Sequence, residues 1–591
     1  TISNPSDAAI IGPFDAAHMI ETDQYGTLIK TIASGAPIYT FPVGKGSYNP
    51  IKINFTANST TGTVGVKVNN TSHPSMSGQS DYINRYWTIT SSGLTTYSYN
   101  ASFRYLNTDI TGTESIIKLS RYNGSTWNQF ASTIDAAGDS LFTTTALTES
   151  TAPLTNDFTG YTGAGPFAGD YRTLTSGNWS NTGTWQKFDG STWIAATEYP
   201  GQVASTGIVT IQNGHNVSLN ITPAYGITSL IIGGGSTGTL TCSGIYNLNI
   251  TGNLSIKSGA SYDISQGSLT VTGPTSVSGT LTDSNTSGTN TFNGLVTVNG
   301  GGSFNSTTAS SFTFSGGILN NGSFSKTGTG NVNFNNNPQS ITNNSGTMQI
   351  NGNVVVSASL TLNGFSPINF QGVVNINGPV TVTNQNPAVA IVGGLNGDNV
   401  LSTWVNANGS ILNYGGSGAP MTTGIFDVTT NNNTVAYNGS GQAVRSGNYW
   451  NLNILSIASL SGNIIINGNL TINSGYTLHG LSYNTNIRGN LVNNGTFNTG
   501  TTVIFDGTIL QHISGSSATQ FNVLQINNSN GLTLDYAINI IGVLVFNNGV
   551  INSSATNMLT FNESSSWSNA SPFSYVNGPV TKIGNTAFTF P

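Results

Sequence analysis

The chain has 591 residues, of which only 6% are charged, with a formal net charge of −6 and a single cysteine, Cys242. Average soluble proteins are roughly 25% charged. So thin a charge excludes the basic stripe a nucleic-acid partner needs and the Lys/Arg cluster that anionic membranes attract, and one cysteine excludes an intrachain disulfide.

Glycine supplies 73 residues, and Asn, Ser and Thr recur throughout, yet 36% of the chain is hydrophobic and 9% aromatic, enough to build a core. Helix formers are scarce, whereas Asn, Ser, Thr and Gly suit turns and wet strand faces, so the composition predicts an all-β protein. No apolar run approaches the ~20 residues of a membrane span, and no membrane insertion is expected of this segment.

Residues 1–42 read as the end of a preceding solenoid and a joint. The joint phrase "PIYTFPVGKG" at Pro37–Gly46 returns as "NTAFTFP" at Asn585–Pro591. Gly26, Leu28 and Lys30 precede the first copy much as Gly578, Val580 and Lys582 precede the second, and Thr1–Ile11 aligns loosely with Val550–Thr560. Such an echo predicts slightly more than one period of a tandem array, cut from a longer protein.

Residues 43–165 carry short alternating runs: "IKINF", "VGVKV", "RYWTIT", "YSYNASFRY" and "IIKLSRY". Turn residues at this spacing predict an Ig-like β-sandwich. Within that span and just beyond it, Thr148–Phe167 is rich in Thr, Gly and Pro and reads as a connection.

Residues 166–205 hold the densest aromatic stretch, "GNWSNTGTWQKFDGSTWIAATEYPG", with Trp179, Trp185, Trp193 and Tyr199. Exposed tryptophans stack on sugar rings, so these four are candidate glycan contacts. The competing reading is a hairpin cap over the open end of a solenoid. "FDGSTW" echoes "YNGSTW" at Tyr122–Trp127, and both fit hairpins with an Asx-Gly turn.

Residues 206–576 change texture, into pairs of alternating apolar residues followed by Gly or Asn. Gly-Asn-Leu/Val recurs at Gly252, Gly352, Gly468 and Gly489. A longer unit also repeats, as "VNFNNNPQSI" (from Val332), "VAYNGSGQAV" (from Val435) and "VIFDGTILQHI" (from Val503). Each runs apolar-x-aromatic, two turn residues, then Gln before another apolar residue. Irregular repeats with such short strands predict a long right-handed parallel β-helix, a string of small sandwiches being the alternative. At ~20 to 25 residues per coil the segment makes about 16 to 20 coils, with Gly and Asn in left-handed corners. Residues 577–591 then form the joint to a next module.

Polysaccharide-cutting β-helices need grouped carboxylates. The acids from Asp170 onward are that residue with Asp189, Glu198, Asp263, Asp283, Asp398, Asp427, Asp506, Asp535 and Glu563, and the bases are Arg172, Lys187, Lys257, Lys326, Arg445, Arg488 and Lys582. So thin a stock predicts no catalytic residues. Two or three acids converging beside Arg445 or Arg488 would reverse that. His18, His73, His215, His479 and His512 lack metal-ligand spacing, Cys242 reads as a small buried residue, and no metal or cofactor is expected. Asp135–Asp139 and Asn396–Asn399 read as solvated turns.

The Ser176–Gly201 stretch, the "VTIQNGHNVSLN" that follows, and the unit at Phe505–Leu534 resemble giant secreted cell-surface adhesins of Bacteroidota. That family is exported by type IX secretion and includes the mobile adhesins of gliding; "YTFPVGKGSYNPIKI" is similar to its inter-segment joint. The family's C-terminal sorting domain is missing here, as in a fragment. The resemblance implies an extracellular, elongated, adhesive protein without catalytic residues, whose partners are neighbouring modules and surface polysaccharides. The alternative is a carbohydrate-binding or polysaccharide-degrading β-helix.

Overall fold

The structure, a computed structural model, describes residues 1–591 apart from 23–25, 77–80, 123–126, 150–154, 163–165, 167, 190–191, 235–236, 266, 287 and 586. The chain divides into two compact units, Thr1–Phe167 and Ala168–Pro591.

The first unit is a β-sandwich. One antiparallel sheet runs through Ile110–Thr111, Tyr82–Ile83, Thr155–Tyr161, Tyr86–Ser92, Gly62–Asn69 and Leu28–Ile32; the other runs through Ser132–Asp135, Ser140–Thr143, Tyr97–Arg104, Ile51–Asn58 and Ile38–Phe41. Alternation along each strand sends one set of side chains inward. Val64, Val66, Trp87 and Phe158 from one sheet meet Phe41, Ile51, Phe103 and Leu141 from the other in a single core.

Two expectations are corrected here. Leu28–Ile32 and Ile38–Phe41, assigned above to a preceding solenoid and joint, pair antiparallel with Gly62–Asn69 and Ile51–Asn58 and belong to the sandwich. Their burial alternates, and each forms one edge of its sheet. Parallel pairing does occur in this unit, where Ile2 bridges Lys30 and where Ile20–Glu21 pairs with Val43–Gly44. The stretch read as a connection is also partly core: Thr155–Tyr161 is a sandwich strand, with Phe158 buried. Residues 150–154, 163–165 and 167 of that stretch lie outside the described residues.

The second unit is a parallel β-solenoid. Among the described residues one ladder runs through nineteen strands, from Gly177–Asn178 to Val576–Asn577, one per coil. Once the coils are regular, successive partners lie 17 to 25 residues apart, as with Ala436 and Asn453 or Asn552 and Asn577. Eighteen steps at ~4.8 Å give a stack of about 86 Å.

Most coils place two further short strands in a second sheet, which ends at Ile425–Asp427; a third takes over from Gln442–Val444. The strands are commonly three or four residues, buried at both ends of each triplet, as in Leu254–Ile256, Val332–Phe334 and Leu470–Ile472. A three-residue strand cannot bury a face alone, but stacking makes one core from Tyr171 to Val576. Phe292, Phe314 and Phe334 occupy one register position in successive coils, their rings stacked at 5.5 and 5.7 Å.

Glycine does serve the corners. Gly364 (φ +99°) and Gly515 (φ +121°) lie under the carbonyls of Asn343 and Asn493, and a Cβ at either would sit 2.2 or 2.1 Å from that oxygen. Asparagine serves them too, at Asn336 (φ +71°), Asn432 (φ +61°) and Asn569 (φ +62°). It also has a use that was not expected: other asparagines turn inward and hydrogen-bond from coil to coil, Asn320 Nδ2 donating to Asn343 Oδ1 at 2.8 Å and Asn384 Nδ2 to Asn406 Oδ1 at 3.1 Å.

The solenoid also runs further than 576. Val580–Lys582, expected to be joint, pairs parallel with Leu559–Phe561 as another solenoid strand.

Candidate functional site

The aromatic stretch opens the solenoid. Tyr171–Thr173 pairs parallel with Thr206–Ile211 in the next coil, and on its other edge antiparallel with Trp185–Phe188. Trp185–Phe188 pairs in turn with Trp193–Ala195, so a hairpin covers the edge of the sheet. Its turn residues 190–191 lie outside the described residues, as do 123–126 of the echoing "YNGSTW".

Trp179 and Trp185 are both 0% exposed, with rings 5.0 Å apart, edge to face. Trp179 Nε1 donates to the Pro200 carbonyl at 2.9 Å, and Trp185 Nε1 to that of Trp179 at 2.8 Å. These two are therefore core, and the glycan contact expected of them is corrected: no sugar reaches a ring enclosed on both faces. Trp193 is half-buried, with the Arg172 guanidinium 4.4 Å from its ring centre, and Tyr199 packs half-buried against the core. Lys187 pairs with Glu198 across the hairpin and holds that carboxyl below its usual range. The stretch has the construction of a cap. Trp-x₅-Trp at the head of a repeat array does not separate cap from platform.

Among the described residues, no three of the acids come together. Asp283 points inward and accepts from Ser306 Oγ at 2.7 Å, from Ser310 Oγ, and from Asn290 Nδ2 at 3.3 Å. One coil beyond Ser306, Lys326 is fully buried and donates to the Thr308 carbonyl at 2.7 Å. Burial holds the Lys326 ammonium below its usual value, partly offset by Asp283. Asp170 accepts from the Ile208 amide at 2.7 Å, Asp263 from Ser284 Oγ at 2.7 Å, and Asp398 from the Gly378 amide at 2.6 Å.

Arg445 and Arg488 have other duties. Arg488 Nε lies 3.7 Å from a single carboxylate, Asp506. Arg445 sits where the second sheet gives way to the third: its Nη2 donates to the Gly424 carbonyl at 3.0 Å, and its guanidinium lies 5.6 Å from the Phe426 ring centre. The buried Tyr437 and Tyr449 hydroxyls meet there at 3.0 Å, and Tyr449 donates to the Arg445 carbonyl at 2.7 Å. Burial pushes the Tyr437 phenol up to about 12. The Asp283–Lys326 column was invisible in the sequence because its members lie about a coil apart, and the seam because Tyr437, Arg445 and Tyr449, though within 12 residues, fit no recognised spacing.

Among the described residues, no three His, Cys, Asp or Glu side chains come together. His512 Nδ1 contacts Asp535 Oδ2 of the next coil at 2.8 Å, and His215 Nδ1 contacts Thr173 Oγ1 at 2.7 Å. Cys242 is buried, its thiol 3.1 Å from the Gly244 carbonyl. The Asp135–Asp139 turn is closed by the Asp135 carboxylate accepting from the Ala137 and Gly138 amides at 3.2 Å. An open hollow of about 380 Å³ is lined by Thr210, Gln212, Asn213 and His215 among others. Among the described residues, no helix is long and apolar enough to cross a membrane.

The repeated Gln is explained by geometry. Gln511 and Gln442 are buried corner pegs. Gln511 Oε1 accepts from the Gly507 amide at 3.0 Å while its Nε2 donates to the Ile487 and Gly489 carbonyls of the preceding coil at 2.9 and 2.5 Å. Gln442 repeats this with the Gly439 amide and the Tyr414 and Gly416 carbonyls, at 2.6, 2.8 and 2.8 Å. The Gln339 side chain instead donates, among the described residues, within its own turn, to the Asn335 and Asn337 carbonyls.

No protein-family model, curated protein or solved structure matches the chain.

Proposed function

We propose that the chain is a structural and adhesive repeat module of an elongated extracellular bacterial surface filament, in which the solenoid serves as a stiff spacer. The observation that carries this reading is the unbroken ladder of nineteen strands, in which buried acids, bases and amides are consumed by hydrogen bonds between coils. A stacked rod resists bending because every coil is bonded to both neighbours. A surface rich in amides and hydroxyls and poor in charge supports weak contacts that gain strength by repetition, with neighbouring modules and surface polysaccharides as partners. The resemblance to Bacteroidota adhesins supports placement at the cell surface, and the inward use of Trp179 and Trp185 weakens the case for a dedicated sugar platform.

Antibodies against the solenoid should label intact cells of the source organism, and cells lacking the gene should attach less firmly to surfaces. Labelling only after lysis, or release of oligosaccharides from polysaccharides by the pure protein, would overturn the reading.

A further inference from the structure

The sequence echo has a structural counterpart. Lys30 bridges Ile2 in parallel, with the Thr31 amide donating to the Ile2 carbonyl at 2.9 Å. Lys582 pairs in parallel with Phe561, with the Ile583 amide donating to the Phe561 carbonyl at 2.8 Å. Each lysine turns its ammonium onto main-chain oxygens at the same two places. Lys30 donates to Thr31 at 3.1 Å and to Asn4; Lys582 donates to Ile583 at 2.9 Å and to Asn562 and Glu563 at 2.7 Å.

Each ammonium also stands over the first ring of its Tyr/Phe-Thr-Phe-Pro phrase, 4.7 Å from the Tyr39 centre and 5.4 Å from that of Phe588. In both phrases that ring meets the next edge to face, Tyr39 with Phe41 at 5.0 Å and 87°, Phe588 with Phe590 at 5.3 Å and 79°. This register matches Ile2 with Phe561, and so replaces the looser sequence alignment of Thr1–Ile11 with Val550–Thr560.

The copies differ in what covers them. Leu28–Ile32 is hydrogen-bonded on its second edge to Gly62–Asn69 of the sandwich, and Phe41 is 0% exposed in the sandwich core. Val580–Lys582 pairs, among the described residues, with Leu559–Phe561 alone. Ile583 is 52% and Phe590 56% exposed.

We propose that Val580–Lys582 and Phe588–Phe590 are a docking edge for a second sandwich of this chain's own kind, whose strand equivalent to Gly62–Asn69 adds antiparallel to Val580–Lys582. The solenoid's last strand is then the sandwich's first. Such a joint shares one continuous sheet and transmits tension through backbone hydrogen bonds rather than through a free linker. The proposal deepens the tandem-spacer reading and rests on it for its biological purpose, but its test does not depend on location at the cell surface.

The test appends a second copy of residues 43–167 after Pro591 of the intact chain, with Cys242→Ser and one cysteine pair, Ile583→Cys with Thr63→Cys in the appended copy. The matching pair in the first sandwich, Thr31→Cys with Thr63→Cys, is the control, since those residues are register partners. We expect both pairs to cross-link to similar extents under mild oxidation. Amide exchange at Val580–Lys582 should slow by on the order of a hundredfold when the copy is appended. A control that forms while the Ile583 pair does not, with exchange unchanged, would overturn the proposal. So would an appended copy that stays protease-sensitive unless given its own Leu28–Phe41 strands.

Discussion

The sandwich and the solenoid solve the same problem with opposite means. The sandwich pairs strands of up to eight residues and encloses charge: Arg85 and Asp109, both buried, form a fork of two hydrogen bonds at 2.8 and 3.1 Å. The solenoid stacks strands that are commonly three or four residues and, apart from the buried Asp283 and Lys326, ties its coils with amides: Asn320, Asn384, Gln442 and Gln511 each join one coil to another. A two-layer core depends on all its parts, while a solenoid coil depends on its two neighbours. Damage should spread differently in the two.

The largest contrast is in cavity mutants. Trp87→Ala empties a site that is 0% exposed and frees the Asn49 carbonyl that the indole binds at 3.2 Å, so the sandwich should lose about 3–5 kcal/mol. In calorimetry its transition should drop or vanish while the solenoid transition stays in place. Phe314→Ala, of similar cost, should instead loosen amide exchange mainly in the coils holding Phe292 and Phe334. Loss of both units in either variant would erase the distinction drawn here.

Smaller effects come from the corner pegs. Gln511→Leu removes the partner of the Gly507 amide and of the Gly489 carbonyl, the Ile487 carbonyl keeping the Asp506 amide, and should cost on the order of 2–3 kcal/mol, with faster exchange at Gly507. Gln339→Leu, confined to its own turn, should cost about 0.5 kcal/mol or less. Equal costs in denaturant titrations would mean that the pegs do not bind coil to coil.

Titration should be felt at the cap before the stack. Lys187 holds the Glu198 carboxyl below its usual value of 4.5. Because the folded value is the lower one, the stabilisation is present above pH 4.5 and is lost as pH falls through the folded value. The pair is partly exposed, so the effect should stay below about 1 kcal/mol. Lys187→Met should flatten the acid dependence of tryptophan fluorescence; an unchanged profile would assign it elsewhere. Smallest of all, raising salt from about 0.05 to 1 M should move the solenoid's melting temperature by no more than roughly 2 °C, since few exposed pairs are there to screen.

Much of this was legible in the residues. The triplets around Leu254 and Leu470 announce strands buried at both ends, and the recurring Gln marks a device whose purpose only the register reveals. Asn was legible in only one of its two habits, the left-handed corner and not the inward amide, because both share one letter. Leu28–Phe41 looked like joint because an edge strand of a sandwich and the last strand of a solenoid have the same alternation, and the echo of that segment at Val580 suggests why one sequence serves both. Trp179 and Trp185 could not be placed inside or outside by type alone, since a cap and a sugar platform both call for aromatic residues.

The central claim, a stacked spacer repeated along a filament, is tested most directly by electron microscopy of the native full-length material. The account predicts a thin fibre with an axial repeat on the order of 120–150 Å, one solenoid plus one sandwich at the ~4.8 Å coil spacing. A compact particle with no axial repeat would contradict it.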